Sequence, residues 1–142
     1  MKITVFTANQ RRHNFLINQL SNICDELFVV QESRTIFPGL NEGYYDKSEI
    51  MNEYFKKVIN AEIKIFQETF INGLNKNINL FPLVNGDLNK LKLEDLDKFL
   101  KSDLYIIFGS SLIKGDLVKF LIEKKAINIH MGISPYYRGT DC

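Results

Sequence analysis

The chain of 142 residues and 16.5 kDa, with 45% hydrophobic residues, is long enough for one domain with a buried core. Its 18 basic and 17 acidic residues leave a net charge of +1, which gives no support to bulk attraction to nucleic acid. No apolar run approaches the ~20 residues of a membrane span. Two cysteines, Cys24 and Cys142, indicate neither a disulfide framework nor a zinc site, so we expect a cytoplasmic protein without a bound metal.

The N-terminal part of the chain predicts a strand, a helix and a second strand. Residues 3–6 form a compact apolar run with β-branched side chains, which favours a strand. Residues 26–31 are almost continuously apolar at their centre, as in a strand that is buried on both faces. A helix is predicted between them, because a spacing of three and four residues, typical of one helix face, separates Phe15, Leu16, Gln19 and Leu20. A βαβ unit of this kind predicts parallel strands.

The turn after the first strand argues against a dinucleotide-binding protein. That fold needs glycines in this turn so that the backbone can approach a pyrophosphate, and no glycine lies between Met1 and Phe37. The turn instead carries Asn9, Arg11 and Arg12 at the start of the predicted helix. These side chains could hold an anionic group of a substrate. The alternative is a solvated helix face with both arginines in water.

The middle of the chain predicts a long helix, an edge strand and a short helix. The long helix is amphipathic and is expected to reach about Phe70. Residues 80–84 predict a short strand, which Pro82 restricts to an edge of the sheet because proline lacks the backbone N–H. Apolar spacing over residues 93–100 predicts a short helix, and residues 104–108 predict the most hydrophobic strand.

A second βαβ unit is predicted towards the C-terminus. Residues 115–124 predict a helix after the strand at 104–108, and residues 127–130 predict a further strand. The inward side chains of that helix are expected to be Leu117, Val118, Leu121 and Ile122. The two βαβ units together predict a doubly wound, mostly parallel α/β sheet.

The end of the last predicted strand carries the polar pair Asn128 and His130. Residues two apart on a strand share a face, and parallel α/β sheets bind ligands beyond the carboxyl ends of their strands. We therefore expect residues 9–13, 109–111 and 128–138 to gather at one edge. A histidine exchanges protons near neutral pH and an amide can stabilise an oxyanion, so the pair suits acyl transfer. Because no nucleophile elbow is present, direct transfer to an amine is favoured; the alternative is a purely structural histidine.

This segment resembles the signature of the 10-formyltetrahydrofolate-dependent formyltransferases. That family includes the glycinamide ribonucleotide, methionyl-tRNA and sugar N-formyltransferases, and its motif runs N-x-H, then S-x-x-P or a close variant, then Y-R-G. Here Asn128 and His130 supply the first part, and the adjacent Ser134 and Pro135, a small departure from the family, precede Tyr-Arg-Gly at 137–139. The similarity covers roughly the last forty residues well and the earlier part only by topology.

The resemblance implies a Rossmann-like fold, 10-formyltetrahydrofolate as formyl donor, and roles for particular residues. Asn128 would hold the formyl oxygen as it gains charge, and His130 would assist that stabilisation and the proton transfers. The folate pocket would be lined, largely through backbone groups, by Phe108, Gly109, Ser110, Ser111, Leu112 and Ile113. The loop beside the acceptor and the formyl group would comprise Ser134, Pro135, Tyr136, Arg138 and Gly139.

The resemblance also implies a third catalytic residue, an aspartate well downstream of His130. The chain stops at Cys142, and Asp141 is too close to His130 to stand in for it. We therefore expect residues 1–142 to be a single N-terminal formyltransferase-like domain, either a fragment of a longer protein or an inactive truncation. The sheet would be incomplete at its C-terminal end, which would leave the strand at Asn128 as an edge that a second copy could cover in a homodimer.

The members of this family differ in the amine that they formylate. A nucleotide-linked amino sugar is favoured, because Arg11, Arg12 and the loop of residues 33–47, with Tyr44 and Tyr45, could bind its phosphates. A tRNA acceptor usually comes with a basic C-terminal domain. Resemblance to the glycinamide ribonucleotide type would imply a glycine-rich phosphate loop after the first strand, and this turn has no glycine. The alternative from another class is a catalytically inactive module that binds a nucleotide or a protein partner.

Overall fold

The computed structural model describes residues 1–33, 48–67, 69–130, 132 and 136. The strands are β1 (Lys2–Ala8), β2 (Glu26–Ser33), β3 (Ile78–Val84), β4 (Leu104–Phe108) and β5 (Ile127–Asn128). The helices are α1 (Arg11–Ser21), α2 (Glu49–Phe66) and α3 (Gly115–Glu123), and two 3-10 helices span Asp87–Lys90 and Leu93–Leu100. The strands form one sheet in the order β3-β2-β1-β4-β5, and every pairing is parallel. Within the described ranges, no helix combines the length and the hydropathy needed to cross a bilayer.

Apolar side chains on both faces of the sheet form two core clusters, which confirms the doubly wound, Rossmann-like α/β fold. The cluster under α1 comprises Ile3, Val5, Ile17, Leu20, Leu27, Val29 and Ile106. The cluster under α3 and the 3-10 helices comprises Phe6, Val30, Leu88, Leu96, Tyr105, Ile113, Leu117 and Leu121. The central strands contribute to both clusters because their successive side chains point to opposite faces, as those of Val5 and Phe6 in β1 do.

The inner face of α1 differs from the predicted one. Phe15 and Gln19 are exposed, and Phe15 retains 42% of its accessible surface. The side chains that turn inward are Arg11, His13, Asn14, Ile17, Leu20 and Ser21. Asn14 is accommodated on this face because the sheet offers it a partner: Gln31 Nε2 of β2 donates a hydrogen bond to Asn14 Oδ1 at 3.0 Å.

The helix α3 has a narrower buried face than its sequence predicts. Leu117 and Leu121 are buried as predicted, at 6% and 2% exposure, and Val118 is partly buried against the same cluster. Ile122 is 72% exposed, so its predicted inward position is wrong. Leu117 and Leu121 are four residues apart and share a stripe, whereas Ile122 lies about 100° further round the helix.

The helix α2 ends at Phe66, earlier than predicted. The next residue, Gln67, has a φ of +53°, which takes the backbone out of the right-handed helix, while its N–H still bonds to the carbonyl of Ile63 at 2.9 Å. The chain then passes along α1, where Asn18 Nδ2 donates to the carbonyl of Phe70 at 2.7 Å. Phe70 therefore belongs to this connection and not to the helix.

The strands β3 and β5 lie at the two ends of the sheet in the described part of the chain. Pro82 of β3 lies opposite Gln31 of β2, and its edge position confirms the prediction from the missing N–H. The strand β5 is shorter than the predicted residues 127–130: it ends at Asn128, and one further hydrogen bond joins Ile129 N–H to the carbonyl of Ile107 at 2.8 Å. Pairing of β5 with a second copy stays a prediction.

Adjacent residues on α3 provide a matched test of this packing. Leu121→Ala should lower the free energy of unfolding by about 2–5 kcal/mol, because it removes a buried side chain and leaves a cavity. Ile122→Ala should change it by less than about 1 kcal/mol, since that side chain is already in solvent. Urea unfolding followed by circular dichroism measures both values. Similar losses in the two variants would contradict the assigned orientation of α3.

Candidate functional site

The candidate functional site is the edge of the sheet at the carboxyl ends of β1 and β4, here called the switch point. The chain leaves β1 towards β2 on one side and leaves β4 towards β5 on the other, so the two connections diverge at this point. Residues 9–10 follow β1 and residues 109–114 follow β4. Ligands of open parallel sheets bind where the strand order reverses in this way, because the diverging loops leave a gap between them.

The predicted pair lies beside β4, on and just after β5, the last strand of the sheet on that side. Asn128 pairs with Ile107 of β4 and is exposed, so it stands beside the loop that follows β4. His130 is also exposed, but it lies two residues beyond the end of β5. Strand alternation therefore does not orient His130, contrary to the sequence argument. Its Nδ1 is instead 3.0 Å from the N and 2.9 Å from the O of Gly132.

The backbone of Gly132 offers a partner for either state of the His130 Nδ1 atom. An unprotonated Nδ1 accepts a hydrogen bond from the Gly132 N–H, and a protonated Nδ1 donates one to the Gly132 carbonyl. Both contacts use the same ring nitrogen, so Nε2 does not bond to Gly132. An exposed histidine held at one nitrogen is suited to exchange a proton with a ligand at the other.

The loop of residues 108–113 turns away from the sheet at Gly109, where φ is +71°. Gly109 and Leu112 are exposed, Leu112 at 76%, so they can meet a ligand. Ser110 and Ser111 are partly buried, and the Ile113 side chain is buried in the core cluster under α3. Of the six residues expected to line the folate pocket, Ile113 could therefore contribute only its backbone.

A buried carboxylate at the end of β2, Glu32, connects three strand ends and was missed by the sequence reasoning. Glu32 is 1% exposed. One of its oxygens accepts hydrogen bonds from the Gly86 N–H at 2.8 Å and the Ser111 hydroxyl at 2.9 Å, and the other accepts from the Ser111 N–H at 2.7 Å. Gly86 follows β3 and Ser111 follows β4. An acidic residue directly after a buried apolar strand was the available signal, but the predicted strand ended at Gln31.

A second buried titratable side chain, His13 of α1, packs against the start of the same loop. It is 1% exposed, and its ring meets that of Phe108 edge-on with centroids 4.7 Å apart. Its Nδ1 accepts a hydrogen bond from the Gln10 N–H at 3.2 Å, whereas Nε2 faces Gly109 and has no partner in the part of the chain that is described. Burial, and secondarily the charge of Arg12, lowers the pKa of His13 to about 3.

The three residues predicted to hold an anion occupy different environments. Arg12 forms an ion pair with Glu62 of α2, with Nη1 and Oε1 3.1 Å apart. Arg11 is 8% exposed, so the solvated-face alternative is wrong for this residue, and its Nε has no hydrogen-bond partner among the described residues. Asn9 is also buried, just after β1. A guanidinium stays charged when buried, so Arg11 is the strongest candidate of the three for binding an anion.

The loop expected beside the acceptor is largely outside the described residues, where Ser134, Pro135, Arg138 and Gly139 lie. Tyr136 is described and is 83% exposed. Among the residues that the structure describes, no cluster of three or more His, Cys, Asp or Glu side chains is placed to hold a metal ion. The roles of the loop residues remain predictions from the sequence motif.

The burial of His13 predicts a specific dependence of stability on pH. The folded-state pKa, about 3, lies below the ordinary value of 6.5, so the unfolded chain binds the proton more readily between these values. The contribution of His13 to the free energy of unfolding is therefore fully present above pH 6.5 and is lost as the pH falls towards 3. Between about pH 7.5 and about pH 5 the loss should be about 2 kcal/mol.

Urea unfolding of the wild type and His13→Gln at both pH values measures this loss. The carboxylates titrate in both proteins, so the difference between the two pH dependences isolates His13. An identical pH dependence in the two proteins would contradict a neutral, buried histidine.

A pair of glycines tests the close contact between α1 and the loop after β4. A Cβ on Gly109 would lie 2.4 Å from His13 Nε2, whereas a Cβ on Gly115 would meet nothing within 4 Å. Both residues have positive φ values, +71° and +67°. Gly115→Ala should therefore cost about 1–2 kcal/mol of backbone strain, and Gly109→Ala about 1–3 kcal/mol more from the clash. Thermal unfolding of both variants measures the difference, and equal losses would exclude the His13 contact.

None of the protein-family models, curated proteins and solved structures with which the chain was compared matches it. A functional interpretation therefore depends on the sequence motif and on the geometry of the carboxyl edge. The residues near that edge that could bind a ligand or take part in a reaction are the following: Asn128 and His130, the loop after β4, and the buried side chains of Arg11, His13 and Glu32.

Proposed function

We propose that this chain transfers a formyl group from 10-formyltetrahydrofolate to a primary amine. The observation that carries the proposal is the pair Asn128 and His130 at the carboxyl edge of a parallel sheet, directly beside the loop after β4. Together with Tyr-Arg-Gly at 137–139, the pair agrees with the formyltransferase signature in residue type. The fold is compatible with this activity but is too widely used to select it.

The proposed reaction is a direct attack of the acceptor amine on the formyl carbon. The attack forms a tetrahedral intermediate whose oxygen gains negative charge, and the Asn128 amide donates a hydrogen bond to that oxygen. His130 takes a proton from the attacking nitrogen and delivers it to N10 of the folate as the bond between N10 and the formyl carbon breaks. The new bond joins the formyl carbon to the acceptor nitrogen, so no covalent enzyme intermediate is required.

The folate donor is proposed to bind along residues 108–113. The exposed surface of this stretch consists mainly of Gly109 and Leu112, a backbone segment without a side chain followed by an apolar one. Such a surface suits the flat, partly apolar ring system of a folate, with backbone groups supplying hydrogen bonds. Because β4 and β5 are neighbours, a donor at this loop would have its formyl group within reach of the strand end at Asn128.

The acceptor is proposed to be a nucleotide-linked amino sugar. Arg11 supports an anionic acceptor, because its guanidinium is buried at the start of α1 and its Nε has no hydrogen-bond partner among the described residues. A phosphate could supply that partner. Arg12 contributes less to this argument, since it is already paired with Glu62. Methionyl-tRNA and glycinamide ribonucleotide are the alternative acceptors.

Alanine variants of the polar pair test the proposal. His130→Ala should lower kcat by about 100-fold or more, and Asn128→Ala by about 100- to 1,000-fold, because each removes a group that acts on the transition state. The dissociation constant of the donor should stay within about threefold of the wild-type value. Formyl transfer from 10-formyltetrahydrofolate to a panel of nucleotide-linked amino sugars measures turnover, and calorimetry measures donor binding.

The matched control for these variants is Ile122→Ala, an exposed side chain on α3, which should leave both measurements unchanged. Unchanged turnover in His130→Ala would remove the role given to that residue. Donor binding without transfer to any amine would favour the non-catalytic alternative. Transfer to methionyl-tRNA or glycinamide ribonucleotide alone would replace the sugar as acceptor.

A further inference from the structure

We propose that Glu32 is a positioning residue that holds the loop of residues 108–113, here called the donor loop, in the shape that binds the formyl donor. The inference rests on the proposed function, because it assigns a role in the binding of the same donor. Glu32 does not touch the proposed reacting atoms; it lies at the end of β2, separated from β4 by β1. Its effect would pass through the backbone of Ser111.

The contacts of Glu32 come from two different loops and are all donated by neutral groups. The Ser111 N–H and hydroxyl donate at 2.7 and 2.9 Å, and the Gly86 N–H donates at 2.8 Å. Three donors converge on one side chain, so it must offer acceptors at both of its terminal atoms. Among side chains of this size, only a carboxylate does so without presenting a donor of its own.

A carboxylate in this position is costly to bury. Glu32 is 1% exposed, and burying a charge among neutral donors carries a desolvation cost. An apolar side chain would avoid that cost but would leave the N–H groups of Gly86 and Ser111 without this acceptor. The carboxylate adds directional restraint: its bonds set the distance and the orientation of Ser111 relative to β2, across the end of β1.

A second side chain restrains the other half of the donor loop. Asn89 Nδ2 donates to the carbonyl of Leu112 at 3.0 Å, and Asn89 Oδ1 accepts from the Lys114 N–H at 2.8 Å. Glu32 at Ser111 and Asn89 at Leu112 together hold the segment that presents the exposed Leu112 side chain. A loop restrained in this way is organised before the ligand arrives, so loosening it should weaken binding of the donor more than it slows the chemistry at His130.

The test is Glu32→Gln, with Glu26→Gln as the matched control. Glutamine keeps the shape but replaces one acceptor with an NH2 group, so at least one of the three donors faces another donor. The control makes the same change at the opposite end of β2, where Glu26 is partly exposed, forms an ion pair with Lys2 and accepts a hydrogen bond from Asn79 Nδ2 at 3.4 Å. Steady-state formyl transfer and calorimetry with the folate donor measure KM, kcat and the dissociation constant.

The expected result for Glu32→Gln is a rise of about tenfold or more in KM and in the dissociation constant for the donor, with kcat within about threefold of the wild type. Hydrogen exchange at the Ser111 and Gly86 amides should be faster, because their acceptor is impaired. Glu26→Gln should match the wild type. A lower kcat with unchanged KM would indicate only a smaller folded fraction and would overturn the positioning role.

Ser111→Ala keeps the inference testable if Glu32→Gln does not fold. This variant removes one of the three bonds and retains the two backbone donors, so KM for the donor should rise by about threefold or more with little change in kcat. An unchanged KM in Ser111→Ala would then overturn the role of Glu32.

A wild-type chain that binds no folate would overturn the proposed function and this inference with it. Normal wild-type transfer with an unaffected donor KM in Glu32→Gln would overturn the inference alone.

Discussion

The structure depends on how polar groups are satisfied where the parallel strands end. A parallel sheet leaves backbone groups without strand partners at its carboxyl edge, and each buried one needs a hydrogen bond. In this chain Glu32 meets that requirement for Gly86 and Ser111 at once. One carboxylate thereby fixes the turn after β3 and the loop after β4 relative to β2. The loop after β4 at the switch point is therefore held at Ser111.

The first turn of α1 packs against the loop after β4 and adds a steric constraint. His13 lies so close to Gly109 that the loop after β4 has no room for a side chain there. Its neutral ring accepts a hydrogen bond from the Gln10 N–H and packs edge-on against Phe108. Arg11 brings a positive charge to the same helix start. Three buried titratable side chains, Glu32, His13 and Arg11, thus lie on or against the segments that meet at the switch point.

The elements that could be predicted from the sequence are those whose signal is local. The strands β1, β2 and β4 follow from uninterrupted apolar runs, and the edge position of β3 follows from Pro82. The prediction was wrong where burial depends on a neighbour: Asn14 of α1 turns inward to a partner on the sheet, and Ile122 faces solvent because no element of the described residues covers it. The short β5 likewise reflects pairing with β4, which a hydrophobic pattern does not encode.

The sequence by itself determined the α/β class, the parallel pairing and the presence of an N-x-H pair near a strand end. These follow from periodicity and residue type, which are properties of short segments. The tertiary structure alone decided which side chains form the carboxyl edge. Glu32 meets Ser111, His13 meets Gly109, and Arg12 meets Glu62, in each case across a long stretch of sequence. A buried polar residue finds its partner through the packing of distant segments, and a single sequence holds no local signal of that packing.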